Sequence, residues 1–511
     1  MELLTSISIC IAFGVLACFL LKETFKPRDQ KWRLSGPRYK LPPGPKGTPV
    51  FGNLFQFLNA RRPGGFVPYL SSMRQHGEMT TLRLGSQTWI LLNSKRVAAD
   101  LINKQGKLTT ERPYMPIASG LVSNDKRTVI RQTAGWAEGR RVMHHLLSGS
   151  ALRVYGDWQE SESLPLLLSY LQQPERWYFH NFRYSTTVLY RLVMGGKLDK
   201  TKAELDDYQQ ITMEFVQSIG KSMVDFFPEL DRLPAPLKLW RPFWQKMGQH
   251  HKLVFQSWWD PIYAAVCNKT AKPSFVRDTL LHPDVKYKGN EEEAMYLATS
   301  VIAAGGDNTR MTLNTFIMAM VSNPLVFARA RADIDAICCG ESTRLPGLAD
   351  IPRLPYVSAI IKETLRWRPT VPIVPPHQLT EDLQYGPYLF PKGVSFVLNT
   401  IAISQEYEEG DSFKPERWLD GNEDNIVHDL WAFGGGRRIC VGYKVAQQAL
   451  FVAITRLIFC FDMSSNGRLD TKNLNHLTVD EPFPIQMKIR SPAHEALILK
   501  ESAQATKTEA N

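Results

Sequence analysis

The sequence predicts a mainly α-helical fold with small β-sheets, arranged as one large domain behind an N-terminal transmembrane helix. Three observations lead there. Long stretches carry apolar residues at the helical period. Short alternating stretches bounded by turn residues lie between them. From about residue 50 to residue 490 no shift in composition marks a second domain. The 511 residues are 44% hydrophobic and 22% charged, a globular composition without a fixed-period repeat, which excludes a disordered chain and a solenoid.

The first element is Leu3 to Leu21, 19 residues without a charge. As a helix it would span about 28 Å, close to the hydrocarbon thickness of a bilayer. Seven basic and two acidic residues follow between Lys22 and Lys40. Positive flanks stay cytoplasmic, so the body of the chain should face the cytosol. A cleaved signal peptide would carry a basic leading segment and a shorter apolar run. Residues 1–21 are therefore read as a signal-anchor, 22–49 as a basic, Pro-rich linker, 50–495 as the main domain and 496–511 as a flexible tail. Within the linker, Leu41-Pro42-Pro43-Gly44-Pro45 is stiff and extended, because proline fixes φ and restricts the residue before it.

In the body, Glu291 to Ser322 reads as one long helix, closed by Asn323-Pro324, where Asn caps and Pro opens the next helix. That helix runs to about Cys338. Pro355 to Arg368 is another, stopped by Pro369, and Gly442 to Phe461 is a strongly apolar helix. Strand patterns occur at Met79–Leu84, Thr88–Leu92, Tyr388–Phe390, Val394–Leu398 and Ile485–Ile489.

The net charge of +11 fits a membrane surface or an acidic protein partner. No zinc-finger spacing and no Lys/Arg-rich helix is present, so nucleic acid is not an expected partner. The seven cysteines form no CxxC pair and are odd in number, which argues against a disulfide scaffold or structural zinc.

One cysteine stands apart. In Phe433-Gly434-Gly435-Gly436-Arg437-Arg438-Ile439-Cys440-Val441-Gly442, three glycines let the backbone turn tightly and approach a flat cofactor. Cys440 then sits at the start of an apolar helix, where the dipole and free N–H groups favour thiolate. Arg438 offers a positive fork to a carboxylate, and Phe433 can pack beside the loop. The alternative is a Gly-rich turn before a helix with an unreactive cysteine. The run fits Phe-x-x-Gly-x-Arg-x-Cys-x-Gly at every fixed position, including Phe433, Gly436, Arg438 and Cys440, and here the chain resembles the cytochrome P-450 family. The resemblance implies that family's fold, heme b (iron protoporphyrin IX) as cofactor and Cys440 as the axial ligand of the heme iron.

Further motifs support the resemblance. Glu363-Thr364-Leu365-Arg366 matches the family's Glu-x-x-Arg and lies 77 residues before Cys440. Residues three apart share a helix face, so Glu363 and Arg366 can pair. The family closes this pair with the Arg of Pro415-Glu416-Arg417-Trp418, which makes Arg417 the third member of a structural network. Trp136 and Arg140 match Trp-x-x-x-Arg, which reaches the heme propionates. The alternative is a surface helix with a part-buried Trp, and Gly135 and Gly139 weaken the helix. His377 falls where the family often has a third propionate contact, or it is an ordinary satisfied histidine.

Ala304-Gly305-Gly306-Asp307-Asn308-Thr309 resembles the family's oxygen-binding stretch, in which small residues open the helix and an acid and a hydroxyl pass protons. Asp307, Asn308 and Thr309 are the catalytic candidates. The chain departs from the pattern at Asn308, which stands where the family usually has Thr. An amide gives and accepts hydrogen bonds but does not pass a proton as a hydroxyl does.

The resemblance implies a monooxygenase that activates dioxygen and oxidises a hydrophobic small molecule, and the segment from Leu354-Pro355-Tyr356-Val357 through Trp367-Arg368-Pro369, with Pro415-Glu416-Arg417-Trp418, is similar to fungal microsomal members of secondary metabolism. No flavin or nicotinamide segment is present, so an NADPH–cytochrome P-450 reductase is the expected partner at the endoplasmic reticulum membrane. Oxidative coupling or ring closure without oxygen insertion is the alternative reaction, and a non-catalytic heme sensor is a more remote one. Tyr114–Val122, Val301–Ala304 and Thr370–Val374 are the expected substrate-facing stretches.

Overall fold

The computed structural model describes residues 39–147, 150–285, 287–338, 344–472, 478 and 483–510. The expected anchor at 1–21 and the basic half of the linker lie outside the described residues. Among the described residues, no single helix is long and apolar enough to cross a membrane.

The chain is mainly helical, as expected. Its first sheet begins with β1 (Met79–Leu84) and β2 (Gln87–Leu92), an antiparallel hairpin. The larger helices follow: α1 (Thr133–Leu147), α2 (Ser150–Gln172), α3 (Trp177–Met194), α4 (Lys202–Ser218), α5 (Arg241–Cys267), α6 (Glu291–Ser322), α7 (Pro324–Ile337) and α8 (Pro355–Trp367). Then come β3 (His377–Gln378), the hairpin of β4 (Leu383–Tyr385) and β5 (Tyr388–Phe390), and β6 (Ser395–Leu398). The chain ends in α9 (Tyr443–Cys460), the pair β7 (Phe461–Ser464) and β8 (Gln486–Ile489), and α10 (Pro492–Ala510). The main sheet has the order β1-β2-β6-β3, with β2 and β6 parallel.

The expected strands and helix limits agree with these to within a residue or so, because each is set by local chemistry. The long helix α6 is closed at its start by a capping box: Asn290 accepts from Glu293 N and Glu293 returns the bond. At its other end the reading needs correction. Asn323 does not cap α7 through its side chain; its Nδ2 donates to Ala319 O at 2.8 Å and so caps the end of α6.

Two boundaries move. Residues 42–49 belong with the domain, since Thr81 donates to Pro42 O and Pro43 O. The tail expected to be flexible is helical as α10. Leu497 and Ile498 are buried against the main core, and His494 lies edge-on to Phe459 at 4.8 Å. Two apolar residues in a run of good helix formers suffice to dock it.

The largest of three apolar clusters lies among α2, α3, α6, α8 and α9, and the other two pack on the faces of the main sheet and the segments beside it. Gly305 and Gly306 let α6 and α3 meet closely: a Cβ at Gly305 would lie 2.8 Å from Leu189, and one at Gly306 3.0 Å from Thr186. The small residues expected to open α6 thus serve its packing, and α6 is helical without interruption.

Candidate active site

The cysteine loop is built by close approach of backbones. Gly434 and Gly436 take positive φ, and a Cβ at Gly436 would fall 2.3 Å from Ile102 O. Gly436 N donates to Asn103 Oδ1 at 2.7 Å. At Gly436 the missing side chain therefore serves docking on residues 102–103. The loop closes with Cys440 N donating to Phe433 O at 2.9 Å, and Phe433 packs toward Tyr443 with ring centroids 6.5 Å apart.

Cys440 keeps accessible surface. Its surroundings are nonetheless dense enough that burial pushes the thiol up, against the opposing pull of the Gly442 N–H and of Arg140. The two facts agree if the sulfur faces a concavity lined by protein. The helix start expected to favour thiolate does not outweigh burial in the polypeptide alone; a metal ion at sulfur deprotonates a thiol outright.

Beside the loop lies a cationic cluster. Arg438 donates from Nε to Thr110 O at 2.9 Å and from Nη1 to Arg131 O at 3.0 Å. Its guanidinium sits 4.0 Å from the Trp136 ring centroid, so Trp136 is a stacking platform. Trp136 and Arg140 do share α1 despite the two glycines, and Arg140 donates to Ile439 O at 2.7 Å, which ties it to the cysteine loop. His377, placed by β3, donates from Nδ1 to Thr109 O at 2.9 Å; its Nε2 is buried without a partner. Burial, then Arg112, hold its pKa well below the usual histidine range.

Arg112 was not among the sequence candidates. It is buried, and donates to Pro376 O at 2.8 Å, to Pro375 O, and to Val129 O at 3.2 Å. Burial and Arg438 lower its pKa. Among the described residues, neither Arg112, Arg140 nor Arg438 is paired with a carboxylate. Glu111 is near, but its Oε1 accepts from the Arg112 and Thr133 backbone N–H groups.

A second charge cluster lies on α8. Arg366 grips Glu363 with two bonds of 2.8 Å and donates to Ser404 O and Ser412 O. Arg417 Nε, Trp418 Nε1 and Lys414 N also donate to Glu363, at 3.2, 2.9 and 2.7 Å. Arg417 Nη2 alone is left without a partner. The expected triad of Glu363, Arg366 and Arg417 is thus assembled, with Trp418 as a fourth member.

The three relay candidates on α6 part company. Asp307 is buried in an ion pair with Arg310 at 2.8 Å, and burial raises its pKa. Thr309 is also buried. Asn308 and Ala304 are exposed and Val301 and Gly305 half-buried, one stripe at helical spacing. Asn308 Nδ2 donates to Ala304 O at 2.8 Å, and its Oδ1 accepts from the Thr370 hydroxyl at 3.3 Å. The segment after Thr370 leads to Val374, which lies against Gly434 of the cysteine loop, and then to Pro375, Pro376 and His377. One strand of chain therefore joins Asn308, the cysteine loop and the cationic cluster.

The family model described as cytochrome P450 matches residues 42–489. The chain belongs to the cytochrome P450 family. It is 30% identical to cytochrome P450 monooxygenase aneD of Aspergillus aculeatus, over 91% of this chain and 92% of that protein. It is 32% identical to cytochrome P450 monooxygenase fogE of Aspergillus ruber, over 84% and 82% of the two. A solved zebra fish cytochrome P450 with progesterone superposes with a TM-score of 0.66 at 21% identity, covering 83% of this chain and 99% of that one. This cytochrome P450 is therefore a monooxygenase, and its cofactor is heme.

The residues present fit heme. An accessible cysteine sulfur can take iron. Guanidinium groups without carboxylate partners suit the two propionates of the macrocycle, and a propionate beside His377 would favour its imidazolium form, whose Nε2–H could then donate to it. Sequence spacing could not flag Arg112, because what marks it is a buried guanidinium bonded to carbonyls and to no carboxylate among the described residues.

Proposed function

We propose that this cytochrome P450 is a membrane-anchored monooxygenase of the endoplasmic reticulum. It takes electrons from an NADPH–cytochrome P450 reductase and hydroxylates or epoxidises a hydrophobic small molecule, an intermediate of fungal secondary metabolism. The observation that carries the reading is the accessible Cys440 joined by residues 370–377 to the accessible stripe of α6. Similarity to fungal monooxygenases and the apolar make-up of Val371, Pro372, Ile373 and Val301 support the substrate class.

Bound heme supplies reductive activation of dioxygen, favoured by thiolate ligation. The chain's own residues do the rest. Cys440 would hold the iron through its sulfur. Arg112, Arg438 and His377 would hold the propionates, with Arg140 tied to the cysteine loop and Trp136 stacked against Arg438. Asn308, Ala304 and Val301 face the substrate. Asp307 delivers a proton only after leaving Arg310, and Thr309 only after a turn of its buried side chain.

That arrangement favours a second reading, oxidative coupling or ring closure without oxygen insertion, since an amide rather than a hydroxyl faces the site. The test is turnover of the holoenzyme with reductase, NADPH and metabolites that accumulate when the gene is deleted. Mass spectrometry showing one oxygen gained supports monooxygenation. Loss of two hydrogens without oxygen supports ring closure, and a reduced spectrum without product would overturn both. For the anchor, deleting residues 1–40 should leave heme binding intact and move the protein out of the membrane fraction; salt-resistant retention would contradict it.

A further inference from the structure

Helix α6 spends three of its four threonine hydroxyls on itself. Thr299, Thr312 and Thr315 each donate to the carbonyl four residues back, at 2.7, 2.8 and 3.0 Å. A hydroxyl has one proton to give, so a threonine bonded in this way has no donor left. Asn308 makes the same bond to Ala304 O at 2.8 Å, but an amide carries two N–H bonds. The assignment of its atoms is fixed by its partners: Ala304 O can only accept, so nitrogen faces it, and Oδ1 accepts from Thr370 at 3.3 Å. The second N–H has no partner among the described residues, and the side chain lies on the exposed stripe of α6. Its neighbours there, Val301 and Ala304, have no side-chain donor.

We infer that Asn308 is a specificity-determining residue whose free N–H binds an acceptor oxygen, above all a ketone carbonyl, on an otherwise apolar substrate. Thr370 is the positioning residue that holds the amide in that orientation. This rests on the active-site reading above and narrows its substrate class from hydrophobic molecules to oxygenated ones. It also gives the departure at Asn308 a binding role that does not depend on proton transfer.

The experiment is spin-state titration of the heme-loaded protein with two matched pairs: 9-fluorenone against fluorene, and anthrone against 9,10-dihydroanthracene. The quantity read is the ratio of hydrocarbon to ketone dissociation constants, so shared apolar contacts cancel. Asn308→Thr keeps the bond to Ala304 and lacks the spare donor. It should lower the ratio about three- to tenfold relative to wild type, the worth of one neutral hydrogen bond. Thr370→Val should lower it part-way, and Thr370→Ser should restore it, which a merely structural role would not predict. An unchanged ratio in Asn308→Thr, or no spectral shift with either ketone in wild type, overturns the inference. A wild-type protein lacking the thiolate band in its ferrous–CO spectrum would instead overturn the active-site reading, so the two failures are distinct.

Discussion

The two buried charge clusters are built on opposite principles. Around Glu363 each carboxylate oxygen is met by protein donors, from Arg366, Arg417, Trp418 and Lys414. Among the described residues, the Arg112 and Arg438 guanidinium groups hydrogen-bond only to carbonyls and a hydroxyl, with Arg438 also stacked on Trp136, and His377 Nε2 has no hydrogen-bond partner. A closed cluster holds the fold together. An open one costs desolvation that only an added anion can offset. On the proposed reading, local charge balance separates structural from cofactor-binding charges in this protein.

The largest expected effect tests the cysteine loop beside the open cluster. Cys440→Ala should abolish the thiolate band of the ferrous–CO complex completely; any retained band would remove the basis for the comparison. Next, Glu363→Ala should open the closed cluster by leaving Arg366 buried and unpaired. A cost of about 3–5 kcal/mol is expected, read as a fall in the denaturant midpoint of the heme-loaded protein.

The open cluster should respond in the opposite sense. Arg112→Ala removes an unpaired buried cation, so the heme-free chain should lose little or no stability. Heme loss to a myoglobin acceptor should accelerate about 10- to 100-fold, the worth of a charge-assisted hydrogen bond. If Arg112→Ala destabilised the heme-free chain as Glu363→Ala does, the distinction would fail.

The smallest effect sharpens the comparison at a third buried charge. Asp225 accepts from Ile117 N at 2.7 Å and Ala118 N at 3.4 Å, and burial pushes its carboxyl up to about 7. A folded pKa above the unfolded one gives stability that is complete below pH about 4 and lost as pH rises through about 7. Asp225→Asn keeps an acceptor without the charge. It should raise the thermal midpoint at pH 8, equivalent to about 1–3 kcal/mol, and raise it clearly less at pH 5, where only part of that loss has set in. Equal effects at both pH values would exclude ionisation of Asp225 as the cause.

By itself the sequence determined the elements and motifs whose signals are local. The limits of α6, the strands, the loop to Cys440 and the pairing of Glu363 with Arg366 follow from side-chain period, from glycine and proline, and from spacing on one helix face. Only the tertiary structure decided which stripe of α6 looks outward. Periodicity defines a helix's faces but not which neighbour each meets, so the exposure of Asn308, the burial of Thr309 and the pairing of Asp307 with Arg310 were not legible. The same reason hid Arg112, whose partners are carbonyls at Val129, Pro375 and Pro376. It also hid the docking of α10, because a few buried apolar residues matter only once the core they reach has formed.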